Sequence, residues 1–125
     1  MTDSSDGKKN KAVSLKCNSD FRRAYARGKV YTNPALVTYI IKNRAGICRI
    51  GITASKKIGN AVQRNRARRV IRAAAFSMPD VKGHYDIVFV ARTRTLSRKS
   101  TEIAPVMLKH LISAGVIEDA AEKRA

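Results

Sequence analysis

The sequence predicts an α+β fold, a two-layer α/β sandwich in which three helices pack on a small mixed sheet. Two observations carry that prediction. Compact β-branched and aromatic runs at Ala35 to Lys42 and Tyr85 to Ala91 alternate along the chain with stretches of helical periodicity, in the order helix, strands, helix, strand, helix. The chain of 125 residues, 44% of them hydrophobic, is also long enough for one domain with its own core and no covalent staple.

The elements follow in order. Residues 1–11 are rich in Ser, Asp, Gly and Lys and read as a flexible tail, followed by a single domain over 12–117 and a C-terminal tail over 118–125. Ser19 to Arg27 reads as a short helix, with Ser19 as its cap and Gly28 in the left-handed conformation just past its end. Asn33-Pro34 breaks the chain before a strand at Ala35 to Lys42, apolar on both faces. Asn43 to Gly46 reads as a hairpin turn returning into a second strand from Cys48 to Ala54. A third strand lies within Lys29 to Thr32 or near the chain's end, and the sequence leaves both open.

A long helix runs from near Asn60 to Phe76 and is ended by Pro79. Tyr85 to Ala91 is a buried strand. The last helix starts near Ser100 or Thr101 and places Ile103, Met107 and Leu111 on one face, with Gly115 ending it. Pro105 belongs in a first turn, which argues for a slightly later start.

Charge narrows the function classes. Lys and Arg number 26 against 9 Asp and Glu, a formal net charge of +17. Such an excess repels itself in the compact state and attracts polyanions, which points to nucleic acid. No apolar run approaches the ~20 residues of a membrane span, and the N-terminus has no apolar signal region, so a cytoplasmic location is expected with no membrane partner. Cys17 and Cys48 read as two buried free thiols of a reducing compartment. With His84 and His110 they lack the spacing of a metal site.

The most informative stretch is Ser55 to Arg72, SKKIGNAVQRNRARRVIR. At ~100° per residue, Arg64, Asn65, Arg68, Arg69 and Arg72 share one arc of about 140°. Val62, Ala67, Val70, Ile71 and Ala74 fall on the remaining arc, toward the sheet. Arg66 falls beside Val62, at the edge, where it snorkels or reaches a backbone carbonyl. No acidic residue sits at i,i+4 spacing along the stripe, as a merely solvated face would have. Arginine rather than lysine suits bidentate phosphate contacts and stacking on bases. Just upstream, Lys56 and Lys57 flank the start of the helix, where Asn60 is the cap and Gly59 permits an unusual backbone angle. The spacing is not that of a nucleotide-binding loop. Phe21 and Tyr25, one helical turn apart, and Tyr39 on the strand beneath are suited equally to stacking on single-stranded bases and to core packing.

At the arginine helix the chain resembles a known family. Ile50 to Arg72, with Arg64-Asn65-Arg66 at its centre, is similar to the signature of the ribonuclease P protein family. Phe21-Arg22-Arg23-Ala24-Tyr25 with Arg27-Gly28, Leu36 to Tyr39, Asp86-Ile87-Val88 with Ala91-Arg92, and Leu108 to Gly115 agree with it in order and spacing. Thr93 departs from it, standing where the family often has proline, and Asp3 and Asp6 lie outside its pattern. The resemblance implies a left-handed β-α-β crossover through the arginine helix, and a cytoplasmic ribonucleoprotein of one protein per catalytic RNA. It implies that Lys56, Lys57, Asn60, Arg64, Asn65, Arg66, Arg68, Arg69 and Arg72 contact RNA or organise the cleft. It implies too that Phe21, Tyr25 and Tyr39 line a cleft for the 5′ leader of precursor tRNA. Hydrolysis of the phosphodiester would belong to the RNA, with Mg2+ used by the RNA–protein holoenzyme and none bound by the protein alone.

Three other classes compete. A free-standing metal nuclease wants clustered carboxylates, but Asp20, Asp80, Asp86 and Glu102 are scattered and the other acidic residues lie in the tails. His84 with Asp86 has a common spacing and no nucleophile partner. A ribosomal or other structural RNA-binding protein shares the charge and the fold type. A reader of duplex DNA would need a docking motif, and none is visible.

Overall fold

A computed structural model describes residues 13–79, 81 and 83–117 of the chain. Strands β1 (Val13–Ser14), β2 (Lys29–Asn33), β3 (Leu36–Lys42), β4 (Arg49–Thr53) and β5 (Tyr85–Ala91) form one mixed sheet in the order β1-β4-β5-β3-β2. Helices α1 (Asn18–Arg27), α2 (Ala61–Phe76) and α3 (Ser100–Ser113) complete the α+β sandwich. Both tails, 1–11 and 118–125, lie outside the described residues.

The centre of the sheet is β5, whose residues 86–89 and 91 are buried. Residues of a strand alternate between the faces, and here both faces are covered. Ile87, Phe89 and Ala91 join Leu36 and Ile40 in the larger core with Ile71 and Ala74 of α2 and Ile103, Met107 and Leu111 of α3. Val88 turns the other way, into a smaller core with Leu15 and Ala24 of α1, flanked by Phe21, Tyr39, Ile41 and Val90. Helices α2 and α3 thus cover one face and α1 part of the other. Gly51 of β4 makes room for α1, because a Cβ there would stand 2.5 Å from the Phe21 ring.

The sheet corrects the expected hairpin. Strands β3 and β4 do not pair with each other; both pair with β5, β3 antiparallel and β4 parallel. The apolar β5 is the strand able to fill a position buried on both faces, so it inserts between two strands adjacent in sequence. The connection β4–α2–β5 is therefore a β-α-β crossover. The open question of the third strand is settled at Lys29–Asn33, which pairs antiparallel with β3. The two-residue β1, parallel to β4, carries too little periodicity to be read from sequence.

Helix ends differ from expectation at three places. Cys17, not Ser19, precedes α1, with no side-chain bond to the helix. Gly28 is extended (φ −72°, ψ 158°) rather than left-handed, because the chain turns directly into β2. Its lack of a side chain still matters, since a Cβ would meet the Ala24 carbonyl oxygen at 2.6 Å. Helix α3 starts at Ser100, one of the two expected positions, but Pro105 lies inside it rather than in its first turn and does not delay the start. Its far end is the expected glycine stop: Gly115 has φ +80°, and the Val116 amide donates to the Leu111 carbonyl. Cys48 is buried as expected, and burial with the nearby Asp86 charge pushes its thiol up to about 11; Cys17 is instead exposed.

His110 of α3 is buried, its Nδ1 2.8 Å from the Thr38 hydroxyl, with the Tyr31 ring at 6.0 Å between centroids. Burial, with the Lys109 charge, lowers its pKa below the ordinary 6.5. Below pH ~6.5 the unfolded chain takes up a proton that the native imidazole resists. Stability should therefore fall as pH drops through that window and stay level above it. Urea denaturation across pH 5–8 would show this slope, and its persistence in His110→Asn would assign it elsewhere.

Candidate nucleic-acid interface

The arginine helix is launched by a tight local device. After β4, Lys56–Ile58 form a single 3-10 turn, with the Ser55 hydroxyl accepting from the Lys57 amide at 3.3 Å. Gly59 follows at φ +146°, and a side chain there would collide with the Gln63 amide. Asn60 then caps α2: its Oδ1 accepts from the Gln63 amide and the Gln63 Oε1 accepts from the Asn60 amide, both at 2.9 Å. The sequence thereby fixes where α2 begins and its rotational phase.

Ala67, Ile71 and Ala74 are buried against the sheet and Val70 is half-buried, which leaves the arginines outside. Val62 departs from the expected apolar arc and is 75% exposed. The whole first turn, Ala61 to Gln63, is exposed, and the buried stripe begins only at Ala67. Arg64 bends back and donates from Nη1 to the Gly59 carbonyl at 2.9 Å. Arg66 reaches the Leu96 carbonyl at 3.4 Å, the inward reach expected of the residue that broke the pattern. Arg68 donates to Asn65 Oδ1 at 3.0 Å, while Arg69, Arg72, Lys56 and Lys57 are exposed.

Arg68 also lines a cleft of about 490 Å³ with Tyr25, Tyr39, Thr53 and Val90. Tyr25 and Tyr39 meet edge to face, centroids 5.0 Å apart, and the Tyr25 hydroxyl donates to Thr53 Oγ1 at 3.4 Å. Tyr25 is 43% exposed, so its ring is presented to the cleft rather than used up in the core. Phe21 stands 6.5 Å from Tyr25 but faces a neighbouring, mainly apolar cleft that also includes Arg72 and Phe76. Sequence reasoning missed Thr53 and Val90, whose apolar-run positions gave no sign of a cleft.

The acidic residues are engaged elsewhere. Asp86 is fully buried at the start of β5, where Arg49 Nε and Nη2 donate to it at 2.8 and 2.9 Å, Asn43 at 2.7 Å and Arg23 at 3.0 Å. Burial alone would raise its pKa; these donors overcome that and hold it below the usual carboxylate range. Asp20 pairs with Arg49 at 3.3 Å, and Glu102 Oε1 accepts from the Lys99 amide at 2.8 Å. Among the described residues, then, no carboxylate neutralises the arginines of α2, and no group of three His, Cys, Asp or Glu residues converges to hold a metal. Asp86 has no accepting oxygen free to serve His84 as a general-base partner.

The model of the Ribonuclease P family matches residues 10–114. The chain belongs to this family. Among curated relatives, a ribonuclease P protein component from Clostridium botulinum is 40% identical over 104 residues, 82% of this chain and 94% of that one. One from Clostridioides difficile is 48% identical over 85 residues, 66% and 75% of the two chains. The RNase P protein of Staphylococcus aureus has the same fold, with a TM-score of 0.68 at 31% identity over 87% of this chain and all of that one. The ribonuclease P relationship thus spans the whole sheet, the arginine helix and the tyrosine cleft, and no helix among the described residues is long and apolar enough to cross a membrane.

Proposed function

We propose that this protein is the protein subunit of ribonuclease P, binding the catalytic RNA and the 5′ leader of precursor tRNA and so promoting endonucleolytic removal of the leader. The observation that carries the reading is the meeting of Tyr25, Tyr39 and Arg68 in one cleft beside an arginine helix free of carboxylates. Aromatic rings stack on single-stranded bases at ~1–3 kcal/mol per base, and a guanidinium at the rim holds the phosphate between them. Lys56, Lys57, Asn60, Arg64, Asn65, Arg66, Arg69 and Arg72 extend the basic surface toward RNA, and Phe21 supports the tyrosine pair from the next cleft. Hydrolysis is assigned to the RNA subunit and Mg2+ to the RNA–protein holoenzyme. Among the described residues no three His, Cys, Asp or Glu side chains converge as a donor set for the ion, and Asp20 and Asp86 are both held by arginines. Its own contribution is binding, orientation and charge neutralisation in the cytoplasm, one protein per RNA.

The test is reconstitution with a bacterial ribonuclease P RNA at low magnesium, following 5′ cleavage of precursor tRNA. Stimulated cleavage, absent with protein alone, is expected. Tight, salt-sensitive RNA binding without stimulation would favour a ribosomal or general RNA-binding role. Tyr39→Ala should weaken leader-bearing precursor about 5- to 150-fold through one lost stack, and mature tRNA little. Equal losses for both would remove the leader from the tyrosine cleft.

A further inference from the structure

Phe76 is the last residue of α2 and is 84% exposed, more than any other large apolar side chain among the described residues. A single exposed phenylalanine is ordinary on a protein surface, and its surroundings set this one apart. At ~100° per residue, Phe76 projects about 40° from Arg72 and about 20° from Arg69, between the two. The three side chains thus share one face of the helix over about 10 Å, and no residue of α2 is acidic. Beside them opens the mainly apolar cleft of about 600 Å³, which Phe76 and Arg72 both line. Ile52 of β4 and Phe89 of β5 contribute to it from the sheet, and Val13, itself 48% exposed, from β1. Arg72 is the one charged residue among the described residues that line it. The cleft has the volume to take a planar ring, and the arginines at its border favour a ring that carries negative charge beside it. A second copy of the chain is a poor occupant, because its net charge of +17 would be brought against the same basic face.

We propose that Phe76 stacks on an unpaired base of the catalytic RNA, which enters the mouth of this cleft while Arg69 and Arg72 hold the phosphates that flank it. The inference rests on the RNA-subunit reading and deepens it, adding an aromatic contact to an interface otherwise made of charge. Stacking needs a π face and no particular hydrogen bonds, so it is tolerant of base identity. It does require a base free of its own neighbours, as in a bulge or loop. A continuous duplex offers the arginines phosphates and offers Phe76 nothing. The ring therefore selects an unpaired nucleotide from an RNA that is mostly helical.

The experiment is titration of a bacterial ribonuclease P RNA transcript with the unaltered protein and with Phe76→Ala, Phe76→Leu and Phe76→Trp, at several salt concentrations. Phe76→Ala should weaken binding about 5- to 150-fold. Its melting temperature and salt slope should not change, because the ring is exposed and carries no charge. Phe76→Leu should lose nearly as much, and Phe76→Trp should bind at least as well as the unaltered protein. The chain has no tryptophan, so Phe76→Trp also supplies a lone indole emission. The transcript should quench it, and a fully paired RNA duplex should not. Full affinity in Phe76→Ala or Phe76→Leu would overturn the stack. So would an indole that the transcript leaves unquenched, or one quenched equally by the duplex or by a short single-stranded leader. Sedimentation of the unaltered protein as a dimer that Phe76→Ala dissolves would give the ring to a second copy instead. If the unaltered protein neither binds the transcript nor stimulates cleavage, the subunit reading fails first and the stack with it.

Discussion

Replacing Asp86 with alanine should cost about 2–4 kcal/mol of folding stability, a large part of the ~5–15 kcal/mol that a domain of this size possesses. The carboxylate is fully buried and accepts from Arg49, Arg23 and Asn43. Its removal leaves two guanidiniums and an amide facing an empty, partly desolvated space. The loss stays below the ~3–5 kcal/mol of a fully enclosed pair because the side chains of Arg23 and Arg49 remain 36% and 22% exposed. The bond set also ties three elements together, since Arg23 lies on α1, Arg49 on β4 and Asp86 on β5. Chemical denaturation should therefore show an earlier midpoint with an unchanged slope. Asp86→Leu with Arg49→Met should recover part of the loss, as an apolar pair in a buried site does. A loss under ~0.5 kcal/mol in Asp86→Ala would mean the arginines find water at little cost. The pH dependence has a fixed sign. A carboxylate whose pKa is depressed in the fold stabilises it above the ordinary value of 3.8, and that contribution disappears as pH falls further. The Asp86 effect therefore begins well below the window of His110.

The second large effect is on binding. Arg68→Ala/Arg69→Ala/Arg72→Ala should weaken RNA binding at 0.1 M salt by a factor on the order of 10²–10³ and leave thermal stability nearly unchanged. Each arginine that meets a duplex phosphate contributes ~0.9 to the salt slope, which at 0.1 M amounts to roughly eightfold per contact relative to 1 M. None of the three is buried, and the one hydrogen bond among them that is lost, Arg68 to Asn65, lies on the surface. A binding isotherm repeated at several salt concentrations separates the terms: the slope should fall by up to ~2.7. Unchanged affinity with unchanged melting temperature would take this arc of α2 out of the interface. Arg64 and Arg66 are left in place because their bonds to the Gly59 and Leu96 carbonyls make them part of the local framework.

Much of this was legible from the sequence, for reasons that are local. Tyr85–Ala91 matched its observed bounds because six of its seven positions, all but Asp86, are β-branched, aromatic or apolar and admit few alternatives. The start of α2 was legible because Asn60 is a strong cap by residue type, and the structure adds Gln63 as its reciprocal partner. The exposed arc of α2 followed from the period of 3.6, and so did the oddity of Arg66. Errors gathered where a neighbour distant in sequence decides the outcome. The Val62 side chain obeys the helical period, but the sheet does not extend to meet it. Ser19 and Cys17 were misjudged because the chain before α1 is already engaged with β4 through β1. The Cys48-to-Ala54 strand was identified, yet its partner was not, because a turn of the right composition does not say whether a third strand will insert.

The sequence by itself determined the family, the large excess of positive charge, the arginine stripe and the spacing of Phe21, Tyr25 and Tyr39, since each is written in residue type and short-range spacing. Only the tertiary structure decided that Arg68 joins Tyr25 and Tyr39, that Phe21 faces a separate cleft, and that Asp86 is a buried tie rather than a reactive acid. It also decided that Phe76, at the end of α2, borders a cleft lined by β4 and β5. These are matters of strand order and register. The sheet settles them by giving the most apolar strand the position buried on both faces, a choice made among segments far apart in the chain.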